Sequence, residues 1–252
     1  MYPLLPWKWI GSLLTGIVLL AVYSDDLASL LGTTVSDRSI VRYLPILLLG
    51  VLGGVFGPVG YWAPWRLIWR IFPFLNTSVF PDLNGVWLGA TGSNWPTIKK
   101  MLEAAQAYRA IEQIELHSTP EQRDAMAVQI TTSLFVLKIA AGLSSTDGQS
   151  YSITAKPRRD QHSNRLHISY VYEQSTPDPT ITDEDRHMGA ADIIIDMEDL
   201  EIAEGVYWTR RSWKTGLNTA GRLSLQRVAH RKEKGKPLRK YAAEEKDRMQ
   251  NL

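Results

Sequence analysis

The chain has 252 residues, with 28 lysines and arginines against 26 aspartates and glutamates, a net charge of +2, and no cysteine. That length allows one well-buried domain with something attached, or two small domains. The missing cysteine excludes disulfides, thiolate metal sites and cysteine nucleophiles, and it fits folding in a reducing compartment.

Charge and hydropathy divide the chain into three parts. Residues 1–75 hold nearly all the long apolar runs and carry five basic and three acidic side chains; 76–228 carry 15 basic and 19 acidic; 229–252 carry eight basic and four acidic. The reading is a two-helix membrane region, a mildly acidic folded body and a basic polar tail. A body with no basic face gives no reason to expect DNA or RNA as a partner.

In the first part, Trp9 to Tyr23 is apolar for fifteen residues. It crosses a bilayer only by drawing in PLLPWK and letting Lys8 snorkel. A cleaved signal peptide is the alternative, disfavoured by the scarcity of positive charge ahead of the apolar part and by the poor cleavage site at Val22, Tyr23, Ser24. Tyr43 to Trp65, YLPILLLGVLGGVFGPVGYWAPW, has no formal charge at all. As a helix it would reach about 34 Å, against roughly 30 Å of hydrocarbon. Its aromatic residues lie toward the ends, with Arg42 and Arg66 just outside as interfacial anchors. Gly50 with Gly54 and Gly53 with Gly57 stand at four-residue spacing, the pattern of a close contact between membrane helices. The loop between the segments holds Asp25, Asp26 and Asp37 against Arg38, while Lys8, Arg66 and Arg70 flank the outer ends. This bias places both termini and the whole remainder in the cytoplasm of a multi-pass inner-membrane protein.

After Arg70, IFPFLNTSVFPD reads as a connection, with prolines at 73 and 81. LNGVWLGATG then alternates as a first strand. Ile98, Leu102, Ala105 and Tyr108 form a helical stripe, predicting a helix over 97–116. Strand periodicity follows near 127–135, 136–145, 149–156, 165–173, 189–197, 204–211 and 221–228, with PRRDQHSN read as a turn carrying solvated Arg158 and Arg159. Eight short antiparallel strands need both edges hidden, so the predicted architecture is an eight-stranded barrel with one helical insertion, a β-sandwich being the alternative. Such a barrel is just wide enough to hold one small ligand.

The order of two apolar helices, PDLNGVWLG (81–89), HMGAADI (187–193), GVYWTRR (205–211) and TAGRLSLQRV (219–228) resembles the two-transmembrane, β-strand-rich effectors of bacterial cyclic-oligonucleotide antiphage signalling (CBASS). The resemblance runs from residue 10 to 228. It implies a cytoplasmic barrel that is activated by a cyclic dinucleotide from a cognate nucleotidyltransferase, then self-associates, disrupts the inner membrane and aborts infection. The family pattern falls on Gly205, Tyr207, Thr209 and Arg211, then on Gly221, Leu225 and Arg227.

A cyclic dinucleotide has two phosphates and two flat bases, so its site needs cationic or hydroxyl donors and aromatic faces. Tyr207, Thr209 and Arg211 share one strand face and supply one of each. With the opposite parity, Trp208 and Arg210 would point inward and the triplet would be outer wall. Tyr170 and Tyr172 offer either a second aromatic wall or ordinary strand residues, and His187 is a candidate base contact, with a structural hydrogen bond to a neighbouring loop as the alternative. Arg227 is read as an ion-pair partner closing the barrel, and Trp87 as the filling of one barrel end.

Nothing points to catalysis. The histidines lack metal spacing, Ser144 and Ser169 sit in no nucleophile elbow, and no Walker sequence occurs. Asp183, Glu184, Asp185, Asp192 and Asp196 match no metal loop. No cofactor is predicted beyond the activating ligand. The competing function is a membrane-tethered barrel that carries a lipid or scaffolds a partner without a nucleotide switch, which an aliphatic lumen would favour.

Overall fold

The structure is a computed structural model that describes residues 1–251 except 6, 24–25, 27–28, 31–34, 161 and 178–183. The predicted loop carboxylates Asp25 and Asp183 lie outside the described residues. The chain separates into two compact units. One comprises Met1–Asp82 with Thr132–Val136, the other Leu83–Thr131 with Leu137–Leu252.

The first unit is helical: α1 (Trp7–Val22), α2 (Val35–Phe56), α3 (Pro64–Ile71) and α4 (Leu75–Ser78). The uncharged run from Tyr43 to Trp65 is not one helix. α2 ends at Phe56, the chain turns through 57–63, and Pro64 opens α3, a position where a proline's missing N–H costs nothing. The charge-free helical stretch from Tyr43 to Phe56 therefore spans about 21 Å, and α1 about 24 Å, both short of the roughly 30 Å needed. Among the described residues no helix is long and apolar enough to cross a membrane. This overturns the predicted transmembrane region, the place in a two-transmembrane effector family and the multi-pass inner-membrane location with both termini in the cytoplasm.

The supposed anchors also have another role. Trp65 and Arg66 are 0% and 2% exposed. Trp65, Trp69 and Phe80 pack ring to ring at 5.0–5.6 Å between centroids, and the Trp69 indole N–H donates to the Phe80 carbonyl at 2.7 Å. Arg66 Nε donates to Asp82 at 2.6 Å. The bilayer packing predicted for Gly50, Gly53, Gly54 and Gly57 loses its setting with the spans, and no atom lies within 4 Å of where a side chain would start at the first three.

The second unit is a closed barrel of eight strands in sequence order: β1 (Gly85–Ser93), β2 (Gln122–Thr132), β3 (Leu137–Leu143), β4 (Gln149–Asp160), β5 (Arg165–Ser175), β6 (Arg186–Asp196), β7 (Ile202–Arg210) and β8 (Ala220–Ala229). Antiparallel pairing of β1 with both β2 and β8 closes the ring. β5 shows why this sequence forms a wall. Leu166, Ile168, Tyr170 and Tyr172 are buried, while Ser169 is exposed and His167 and Val171 half-buried, the period-two pattern of a sheet with one covered face.

Two stretches differ from expectation. β4 continues to Asp160, with Arg158 opposite His167 and Arg159 opposite Leu166, so PRRD is strand and not turn. The helical insertion is two helices, α5 (Trp95–Gln106) and α6 (Gln113–His117). The chain breaks at Tyr108, which has a φ of 51° and is 99% exposed, so the predicted stripe stops before it. The C-terminal segment is not a tail throughout: α7 (Leu238–Gln250) lays Leu238, Tyr241 and Ala242 against Val86 and Ala127 on the outside of β1 and β2.

Candidate ligand site in the barrel

The inward residues sort by position along the barrel axis. Toward the end where β2 leaves and β3 enters, Trp87, Ile130, Leu166, Ile168, Ile193 and Ile195 are fully buried. Burying each of these side chains is worth roughly 1.5–3 kcal/mol, and together they seal that end. The Trp87 indole donates to the Leu83 carbonyl at 3.3 Å. Arg227 lies 5.3 Å from the Trp87 ring centroid and pairs with Glu201.

At the opposite end the inward positions become polar, and a cavity of about 270 Å³ opens there. Tyr170, Tyr172, Tyr207, Thr209 and Arg211 all line it, five of the six residues predicted as ligand contacts. Trp208, by contrast, is 52% exposed and Arg210 faces outward, so the Tyr207 parity is the inward one. Tyr170 and Tyr172 stand two residues apart on β5 with ring centroids 5.8 Å apart and planes at 44°. Burial pushes both phenols well above their ordinary range. For Tyr172 the neighbouring Tyr170 and Tyr207 add to this and the Arg211 cation opposes it.

The remaining residues behave differently. The Thr209 hydroxyl sits 3.0 Å from that of Thr219, and the Thr209 amide donates to the Thr219 carbonyl at 2.8 Å, so this threonine ties β7 to the loop that follows. His187 is 3% exposed on β6, opposite Gln174, and does not line the cavity. Directly after Arg211, Ser212 adopts a left-handed φ of 38° and its amide donates to Glu184 at 2.8 Å. This contact pins the β7–β8 connection to the β5–β6 connection at the cavity mouth.

Sequence reasoning missed several polar lining groups, among them Asp124, Gln174 and Thr176. Asp124 accepts from Ser144 Oγ at 2.6 Å and from Ser145, holding the β3–β4 connection. Gln174 and Thr176 simply extend the parity of Tyr170 and Tyr172 by two and four residues, a signal present in the sequence. On the outer wall, Asp192 accepts from Ser169 Oγ and contacts His167 Nδ1, each at 2.8 Å. The serine and histidine both address the carboxylate and not each other. Among the described residues no group of three or more His, Asp or Glu side chains could hold a metal ion.

Fold and site together define a closed antiparallel barrel, aliphatic at one end, with a tyrosine-walled cavity of mixed polar and apolar lining at the other. No family model matches the chain. It is similar to CD-NTase-associated protein 15 of Escherichia albertii, with 26% identity over 185 residues that cover 72% of this chain and 77% of that protein.

Proposed function

We propose that the chain is a ligand-sensing effector of CBASS-type antiphage defence, in which the barrel takes up a cyclic dinucleotide made by a cognate nucleotidyltransferase. The observation that carries the reading is the meeting of three tyrosines and an arginine in one cavity of a closed barrel. Tyrosine faces offer stacking surfaces to bases, and a guanidinium offers a fixed, planar set of donors to a phosphate. The likeness to a CD-NTase-associated protein supports the same reading. A lipid carrier would have no use for an arginine beside three tyrosines, although Met126, Leu143, Leu217 and Leu223 also line the cavity.

The chain acts by binding and not by bond-making. At about 270 Å³ the cavity lies below the usual 300–1,000 Å³ of small-molecule pockets, so part of a two-base ligand sits among the mouth connections. Occupancy then orders those connections and shifts the population toward a self-associating form. The test is a thermal-shift screen of the full chain against cyclic dinucleotides, repeated on Arg211→Ala. At 100 times Kd a ligand adds about 2.7 kcal/mol, an upward shift of several degrees that the variant loses. A wild-type midpoint unmoved by every cyclic dinucleotide would sink the proposal.

A further inference from the structure

In the cavity lining, three hydrogen-bonding groups, from the β3–β4 connection, the end of β5 and the residue after it, lie beside the same glycine. A Cβ built on Gly148 would lie 3.0 Å from Gln174 Nε2, 3.0 Å from Thr176 Oγ1 and 3.1 Å from Thr146 Oγ1. All four residues line the cavity. Gly148 needs no left-handed backbone; a side chain there would crowd all three groups, and its absence leaves them room.

Their hydrogen-bond accounts decide what belongs in that room. Thr146 Oγ1 already accepts from the Gly148 amide at 3.2 Å, which leaves its O–H to donate. Gln174 turns its nitrogen, a double donor, toward the glycine. Thr176 is 4% exposed, its backbone is fixed by donation to the Asp185 carbonyl at 2.9 Å, and among the described residues its buried hydroxyl has no hydrogen-bond partner. Leaving a buried hydroxyl unsatisfied costs about 1–3 kcal/mol, so such a group calls for a partner that the chain itself does not supply.

We propose that Thr146, Gln174 and Thr176 form an oxyanion subsite over Gly148 that takes one non-bridging phosphate oxygen of the bound ligand. The inference rests on the nucleotide reading above and deepens it. Three donors clustered beside one glycine in the cavity lining suit an atom that only accepts, and an ionised phosphodiester oxygen is such an atom. Arg211, in the same cavity, supplies the formal charge that these neutral donors lack. This assigns phosphate recognition to Thr146, Gln174 and Thr176 and leaves the tyrosines to the bases.

The experiment is calorimetric titration of the full chain, as wild type, Thr176→Val and Gly148→Ala, with cyclic di-AMP, cyclic di-GMP and cyclic GMP-AMP. Thermal midpoints are measured without ligand and with inorganic phosphate. Thr176→Val weakens binding of the accepted dinucleotide by about tenfold to a hundredfold, while its ligand-free midpoint stays level or rises, because a methyl replaces an unsatisfied hydroxyl. A merely structural threonine would not move the two readouts in opposite directions. Gly148→Ala weakens binding by crowding the same point. Wild-type binding that both variants retain within twofold overturns the subsite and leaves the nucleotide reading standing. If no cyclic dinucleotide binds, yet phosphate raises the wild-type midpoint and not that of Thr176→Val, the nucleotide reading falls and the oxyanion subsite survives. If neither ligand acts on the wild type, both fall.

Discussion

Tyr172 lies across Gly189. The two are register partners on β5 and β6, and a Cβ at 189 would overlap the Tyr172 phenol and come within 2.7 Å of the Trp208 carbonyl. The glycine thus sets where one aromatic wall of the cavity stands.

Gly189→Ala should therefore force the ring off its position or push β6 from β7. Overpacking of this kind costs about 1–3 kcal/mol. Urea denaturation of the variant should show that loss, and ligand affinity should fall with it. A change below about 0.5 kcal/mol, the ordinary scatter of surface substitutions, would mean that Tyr172 is free to move and is not a fixed wall.

The buried phenols make stability depend on pH at the alkaline end. Burial raises the folded-state values of Tyr170 and Tyr172, whereas in the unfolded chain they titrate near 10. Above that pH the unfolded state has given up protons that the folded state still holds. The stabilisation is whole below about pH 10 and is lost as pH climbs toward the folded values. Denaturation curves between pH 8 and 12 should show this decline, and Tyr170→Phe with Tyr172→Phe should flatten it. Of the ten tyrosines, these two should ionise only on unfolding when followed by ultraviolet absorbance.

Thr209 and Thr219 form a closed exchange of hydroxyl and backbone bonds at the foot of the β7–β8 connection. Removing one hydroxyl strands the other in a buried setting, a loss of roughly 1–3 kcal/mol, whereas removing both spares that penalty. Thr209→Val and Thr219→Val should each lower stability, and the double variant should lose less than their sum. Simple additivity in the denaturation cycle would show that the two hydroxyls do not depend on each other.

The barrel was legible in particular strands. Alternation in LHISYVYEQ puts Tyr170 and Tyr172 on one face of β5, and Tyr207, Thr209 and Arg211 keep one parity along β7 and just past it, but which faces turn inward was open until the barrel closed. What the sequence could not deliver is where an apolar run stops being helical. Between Tyr43 and Trp65 no residue is charged, yet the helix closes at Phe56 and the tryptophan beyond it is buried among other rings. Hydropathy reports the absence of charge and is silent on the turn that breaks the run. Similarly, Arg158 and Arg159 resemble solvated turn residues, but β5 is long enough to pair with them. Gln174 and Thr176 were passed over because polar residues at a strand end look like loop, while the lumen at that end is itself polar.

Trp87 and the isoleucines around it fill one end of the tube, while the cavity lies toward the other. The connections at 144–148 and 211–219 contribute Ser145, Thr146, Gly148, Arg211, Leu217 and Thr219 to its lining. If the proposed ligand occupies the cavity, substitutions in those two segments should change its dissociation rate more than its association rate.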